Sequence, residues 1–262
     1  MANTTYPNEV LSNKFADQYE SKLDLMQFCT VDDSLVGVAG DKVKINTYTA
    51  TSGTEVLEMG EGNTKDIEVT YAPVEYEIEL LQNRFTYYDE EEMRDPLIVE
   101  KGINHGVVDM FNTANAKAMA EYQKASITAP VDKFDFAAFV DGVALFDDEA
   151  GEYKVFALCH KDNVAEIRKN LKDDLKYVEA FVRSGYIGTV NGVSIYTSKL
   201  ATKDTVILAT KEAVTYFRKK GIETEQDRNP DTRKNQVFNR EYGIFALTDA
   251  TKAIKVIKGS AE

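Results

Sequence analysis

The chain of 262 residues has no tryptophan, two cysteines, two histidines and five prolines. Cys29 and Cys159 lie far apart in sequence, and in a reducing compartment both read as small buried hydrophobes. Long apolar runs are also missing. Lys, Asp, Glu or Asn interrupts every one before the roughly 18–20 residues that a bilayer-spanning helix needs, which excludes a helical membrane protein. Residues 1–10 lack the basic segment and apolar run of a secretory signal, so folding in a cytoplasm is expected. A surplus of positive charge is absent too: the net charge is −13, which argues against tight sequence-specific gripping of nucleic acid through its phosphates.

What is present suffices for a large core: 43% hydrophobic residues, 13 Phe and 14 Tyr, at a length that fits one large domain or two closely packed ones. The charge is uneven. Residues 1–130 carry 23 acidic and 10 basic side chains while residues 131–262 carry 21 of each, so the whole surplus lies in the first half.

From Pro7 to Leu25 the apolar positions Val10, Leu11, Phe15 and Tyr19 recur near helical spacing on a narrow stripe, which predicts a short amphipathic helix that must dock elsewhere. Val43, Ile45 and Thr47 then alternate against Lys44, Asn46 and Tyr48, and a second run from Ile67 to Leu80 changes parity at Pro73, the expected place for a bulge or an edge. Between the runs, residues 49–66 hold Gly53, Gly60 and Gly62 and read as the exposed tip of a long hairpin. A two-stranded ribbon is marginal in water, so this projecting arm needs a partner surface. Asp95-Pro96 marks the start of the longest helix, reaching about Ser126 with Val107, Phe111, Ala114, Ala118 and Tyr122 on one face and Gly102 and Gly106 as bend points. Beyond Asp132 the pattern turns to mixed α/β. A helix is expected at Phe136–Phe146, a strand at Tyr153–Cys159, a helix carrying Val164, Ile167 and Leu171, and a hairpin turning at Asn191-Gly192. A strand at Thr205–Ala209, a helix at Lys211–Lys220 ended by Gly221, and a terminal pair formed by Gln236–Leu247 and Ala253–Ile257 complete the reading.

Catalytic or metal chemistry needs convergent polar groups, and few are on offer. His105 has Asp109 one turn on but no further ligand, and His160 next to Cys159 alternates away from it in a strand. Gly60-Glu61-Gly62-Asn63-Thr64-Lys65 lacks phosphate-loop spacing, and Asp89-Glu90-Glu91-Glu92 lacks the alternation of a calcium loop and reads as a solvated helix start. No cofactor, metal or catalytic residue is assigned. Charge organisation remains: residues 55–100 are net −11 and residues 218–240 are net +3. Glu75, Glu77 and Glu79 on the hairpin, with Lys65 near its tip, and Arg228, Arg233 and Lys234 on the basic strip are the candidates for contact between subunits, where complementary charge sets register and partner choice.

The order of elements resembles the major capsid proteins of tailed bacteriophages with the Hong Kong 97 fold, over nearly the whole chain. Gly188-Thr189-Val190-Asn191-Gly192-Val193-Ser194-Ile195 followed by Ser198 looks like that family's hairpin. Leu208-Ala209-Thr210-Lys211-Glu212-Ala213 resembles its strand leading into a helix, and Ile222-Glu223-Thr224-Glu225-Gln226-Asp227-Arg228 its return strand. Tyr242-Gly243-Ile244-Phe245 with Ala253-Ile254-Lys255-Val256 is similar to its last hairpin. The resemblance implies an α+β chain with an N-terminal arm (1–35), an extended loop (36–92), a spine helix (93–130), an axial domain (131–225) and C-terminal strands completing a peripheral domain (226–262). It further implies a non-enzymatic subunit that self-assembles into pentamers and hexamers of an icosahedral virion shell around double-stranded DNA. The shell would form in the host bacterial cytoplasm with a separate scaffolding protein, a portal and a decoration protein as partners. Some relatives join a hairpin Lys to an Asn of a neighbour; Lys65 with Asn235 or Asn239 are the nearest counterparts, without a matching motif, and no cross-link is expected. An encapsulin compartment shell and a cytoplasmic α/β enzyme are the alternatives.

Overall fold

The computed structural model describes residues 23–40, 42–146, 154–170 and 186–259; the helix expected over Pro7–Leu25 lies almost wholly outside them. Two sheets and a separate two-stranded ribbon carry the fold. The first sheet has six strands in the order β5 (Ile127–Val131), β12 (Ala253–Lys258), β9 (Thr205–Ala209), β6 (Phe156–Cys159), β8 (Val193–Thr197) and β7 (Tyr186–Val190). β6 and β9 are short continuous apolar runs, the pattern of strands covered on both faces, and both faces are indeed packed. Ala157, Cys159, Val206 and Leu208 point into one core with Phe134, Phe139, Val164 and Ile167, while Phe156, Leu158, Ile207 and Ala209 point into another with Leu25, Phe28 and Tyr122. The side-chain period of two thus feeds two cores from single strands. On the first face lie helices α3 (Phe136–Ala144) and α4 (Lys161–Asn170), and Asn191 and Gly192 both take positive φ in the β7–β8 turn, as its sequence requires.

The second sheet has four strands: β1 (Thr30–Asp32), β10 (Val214–Asn229), β11 (Lys234–Leu247) and β4 (Glu79–Tyr88). Against it packs α2 (Leu97–Tyr122), the spine helix, about 39 Å long at 1.5 Å per residue. It follows a short helix, α1 (Asp89–Arg94), whose first turn is four carboxylates. The buried side of α2 is Met110, Ala114, Asn115, Ala118, Met119, Glu121 and Tyr122, whereas Val107 is exposed. Gly102 and Gly106 are points of contact inside an unbroken helix. A Cβ on Gly102 would fall 2.3–2.5 Å from the Phe85 ring, and one on Gly106 3.0 Å from the Asn239 amide nitrogen. Gly102→Ala therefore sets a helix-propensity gain of about 1 kcal/mol against an overpacking cost of about 1–3 kcal/mol, and a lower urea midpoint is the expected outcome.

Two expectations from sequence are corrected. Lys211–Lys220 does not form a helix: Val214–Phe217 are all buried in β10, paired in parallel with β1 and antiparallel with β11. β-branched and aromatic residues at successive positions suit a strand buried on both sides, and the long-range pairing decides the conformation. Gly221 falls in a stretch of shifted register between Arg218 and Glu223 instead of ending a helix. Nor do the last two strands pair with each other. β11 lies between β10 and β4, and β12 crosses to the six-stranded sheet between β5 and β9, so the turn at 248–251 links the two sheets.

Candidate assembly interface

Strands β2 (Lys42–Ala50) and β3 (Val69–Glu77) pair only with each other and form the arm, in continuous register through Asn46↔Pro73. Pro73 marks an edge, because a two-stranded ribbon leaves each strand one free side, and no bulge occurs there. The expected second strand breaks at Ile78, after which β4 turns into the four-stranded sheet. Exposure along the arm is extreme for apolar residues. Val56 and Met59 are as open as in an extended chain, at 101% and 105%, and Leu57, Ile67, Val69, Tyr71 and Val74 are also exposed. Isolated surface hydrophobics are ordinary, but a run of them on one projection marks an interaction site.

The tip that presents them is ordered by local bonds, among them those to two carboxylates: Glu61 accepts from the Glu58 backbone N–H at 3.3 Å, and Glu55 from Thr64. Glu55 accepts from the Thr64 backbone N–H and hydroxyl, both at 2.7 Å, with Lys65 Nζ 4.0 Å away. The Thr64 hydroxyl, then its backbone N–H, hold the Glu55 carboxyl below the ordinary range. Gly53 is buried beneath Ile67, where a Cβ would meet the side chain at 2.7 Å. Val56, Leu57 and Met59 thus stand on a turn already shaped before any partner arrives.

The charged candidates are placed apart, and among the described residues each except Lys234 has an ion-pair partner in its own chain. Glu75 faces Lys44 at 3.7 Å and Glu77 faces Lys42 at 2.8 Å across the ribbon, and Glu79 meets Lys117 of α2 at 2.8 Å. At the far end of the second sheet, Arg228 meets Asp89 at 2.7 Å and Arg233 meets Glu90 at 2.8 Å, while Lys234 is half-buried opposite Tyr88. The acidic hairpin and basic strip therefore do not meet within a subunit. Exposed pairs of this kind contribute about 0–1 kcal/mol each.

Asp89, which sequence reading treated as part of a solvated helix start, is the joint between α1 and the β10–β11 ribbon. Its carboxylate accepts from Arg228 and from Asn235 Nδ2, both at 2.7 Å. These bonds, Arg228 first, hold it below its ordinary value of 3.8. The folded state thus favours the ionised form: the joint's contribution is complete above pH 3.8 and fades as pH falls through the lower folded value. Amide exchange at 86–94 and 226–236, followed from pH 6 to pH 3, should lose protection on acidification in the native chain, whereas Asp89→Asn, with no carboxyl to titrate there, should start less protected and change less. Asn235 and Asn239 are buried with their amides engaged, Asn239 with Asn83 and Thr224.

No reactive centre accompanies these surfaces among the described residues. His105 is exposed on α2, and His160 accepts from the Asp162 backbone N–H. Burial pushes the Cys29 thiol up to about 11 against a lowering bond from Tyr122, and burial also raises Cys159. A three-residue cluster of metal-ligating side chains is absent among the described residues. An open recess of about 510 Å³ at the start of α3 is lined by Asp132, Lys133, Asp135 and Asp141 together with Pro130, Val131, Ala137 and Ala138.

No family model matches the chain. It is 25% identical over 259 residues to the major capsid protein of Staphylococcus phage phiMR11, covering 96% of this chain and 93% of that one. A chain of the capsid of Cyanophage P-SCSP1u superposes with a TM-score of 0.70 at 13% identity, covering 99% of this chain and 93% of that one. The SrpI encapsulin of Synechococcus elongatus PCC 7942 superposes with a TM-score of 0.65 at 10% identity, covering 97% and 96%. The chain therefore has a shell-protein fold, the Hong Kong 97 fold. Within that class its sequence is similar to that of a phage major capsid protein.

Proposed function

We infer that the chain is the major capsid protein of a tailed bacteriophage, acting by self-assembly and not by catalysis. The observation that carries this reading is the arm: a projection whose apolar side chains Val56, Met59, Ile67 and Val69 are left open by the described residues of the subunit. Such a subunit reaches its full burial only against copies of itself, and closed symmetry makes that contact repeat. The six-stranded sheet with α3 and α4 would form the axial domain, directed at the centres of pentamers and hexamers. The four-stranded sheet with the spine helix would form the peripheral domain, and the arm would lie across a neighbour. There the exposed pairs at Glu75, Glu77 and Glu79, and at Arg228 and Arg233, can exchange partners at little cost. The enclosed material would be double-stranded DNA, which a wall of net charge −13 per subunit would not bind. A separate scaffolding protein, a portal and a decoration protein would complete the virion, assembled in the host cytoplasm.

The likeness to an encapsulin favours a second reading, a compartment shell around protein cargo. Cryo-electron microscopy of particles recovered from native infected cells separates the two: shells filled with nucleic acid support the capsid, and DNA-free shells enclosing an enzyme support the compartment.

A further inference from the structure

Two strands of this fold keep one side unpaired over a long stretch. β10 runs for 16 residues, about three times the usual strand length, yet β1 covers it only at Thr215–Phe217. Just beyond, Arg218 meets Asp33 at 2.6 Å and Lys219 meets the Gly40 carbonyl. From Glu223 to Asn229 β11 holds one side, and no strand among the described residues pairs with the other. β2 is in the same position: β3 holds one side of Lys42–Ala50 and the other is open. An open side is a row of N–H and C=O groups, a template for one more strand.

Side-chain parity decides which strand fits. Along the open stretch of β10, Glu223, Glu225 and Asp227 share one face, opposite Arg240, Phe238 and Gln236 of β11, and Arg240 already pairs with Glu225 at 2.7 Å. On β2, Lys42 and Lys44 share one face, opposite Glu77 and Glu75 of β3. With those faces on the same side, β3, β2, β10 and β11 present columns of acid, base, acid and base, the order in which cross-strand charge pairs stabilise a sheet. The reverse face then brings half-buried Val43 and Ile45 beside exposed Ile222 and Thr224. Other strands fit the open side of β10 less well. β3 would set Glu75 and Glu77 against three carboxylates, and Pro73 within it has no N–H to donate. A second β10 would set like charges directly opposite each other.

We propose that β2 of one subunit adds as a strand to the open side of β10 in a second copy, so that the arm extends its neighbour's four-stranded sheet to six strands. The contact rests on the self-assembly reading and gives it a chemistry. Backbone hydrogen bonds supply the attachment, and the alternation of charge selects β2 over β3 and fixes its register. Within one subunit β2 and β10 do not pair, so the contact exists only between copies.

Cysteine pairs test it on assembled shells. Lys44→Cys is combined in turn with Glu223→Cys, Glu225→Cys and Asp227→Cys; the native Cys29 and Cys159 are buried and stay out of the reaction. After mild oxidation at least one pair should run on a denaturing, non-reducing gel as a ladder of joined chains, and each single variant as a monomer. Charge reversal gives an independent readout. Glu223→Lys with Glu225→Lys should raise the concentration at which shells appear about tenfold, and adding Lys42→Glu and Lys44→Glu to that chain should lower it again. Shells that form with every cysteine pair yet run as monomers would overturn the contact and leave the capsid reading standing. So would a chain of four reversals that assembles no better than the chain of two. Native chains that form no shells at all would overturn both.

Discussion

Val56→Asp combined with Met59→Asp leaves the subunit as stable as the native chain and prevents shell closure. Both side chains are fully solvent-exposed, so charging them removes no contact that the folded subunit makes, and the thermal midpoint of the unassembled protein should shift by no more than about 1–2 °C. On a neighbour they would be buried. Two apolar side chains withdrawn from water are worth about 3–6 kcal/mol per copy, so the concentration at which shells appear should rise at least about a hundredfold. Sedimentation velocity across a concentration series, beside differential scanning fluorimetry, reads both quantities. Loss of stability without loss of assembly would remove the arm tip from the interface.

Asn115→Ala acts in the opposite sense, on the fold. Asn115 Oδ1 accepts from the Leu25 N–H at 2.9 Å, and its Nδ2 donates to the Leu23 carbonyl at 3.2 Å. The single amide thus ties the segment entering from the N-terminus to the buried side of α2. Beside it Tyr122 donates to the Phe28 carbonyl at 2.7 Å, with Leu25 wholly buried between them. Removing the amide strands two backbone groups out of water, at about 1–3 kcal/mol each. A fall in the midpoint of about 4–24 °C follows at about 2–4 °C per kcal/mol for a chain of this size. Asn115→Asp keeps one acceptor and should lose less.

Most of the fold was legible because its signals are local. Asn191-Gly192, the apolar run at Thr205–Ala209 and the alternation at Lys42–Asn46 each specify their own conformation. The arm was readable as a projection because its tip is polar and rich in glycine, although Val56, Leu57 and Met59 within it received too little weight. The errors arise where distant partners decide. Val214–Phe217 carries a pattern that either a helix or a strand could bury, and only pairing with β1 and β11 selects the strand. β11 and β12 looked like a hairpin because four residues separate them in sequence; the crossing from one sheet to the other has no local signature.

The assembly surface was partly legible. The uneven charge pointed to the hairpin and to the strip around Arg228, but not to the partners each charge finds at home, Lys42, Lys44, Lys117, Asp89 and Glu90. The buried polar set Asn235, Asn239 and Glu241, with half-buried Asn83 bonded to Asn239, was likewise hidden. Polar residues in strict alternation read as a solvent face, whereas in β11 that face is turned inward, with Tyr216 donating to Glu241 at 2.6 Å. Glu55 matters through its two bonds to Thr64, which composition and spacing cannot reveal.

The central claim is that this subunit completes its burial against copies of itself. Cryo-electron microscopy of the purified chain, expressed alone and together with the proposed scaffolding protein, tests it most directly. The account expects closed icosahedral shells, or discrete pentamers and hexamers, with the arm of each copy seated on its neighbour and Val56 and Met59 out of contact with water. A stable monomer of 29.3 kDa under every condition, its arm still exposed, would contradict it.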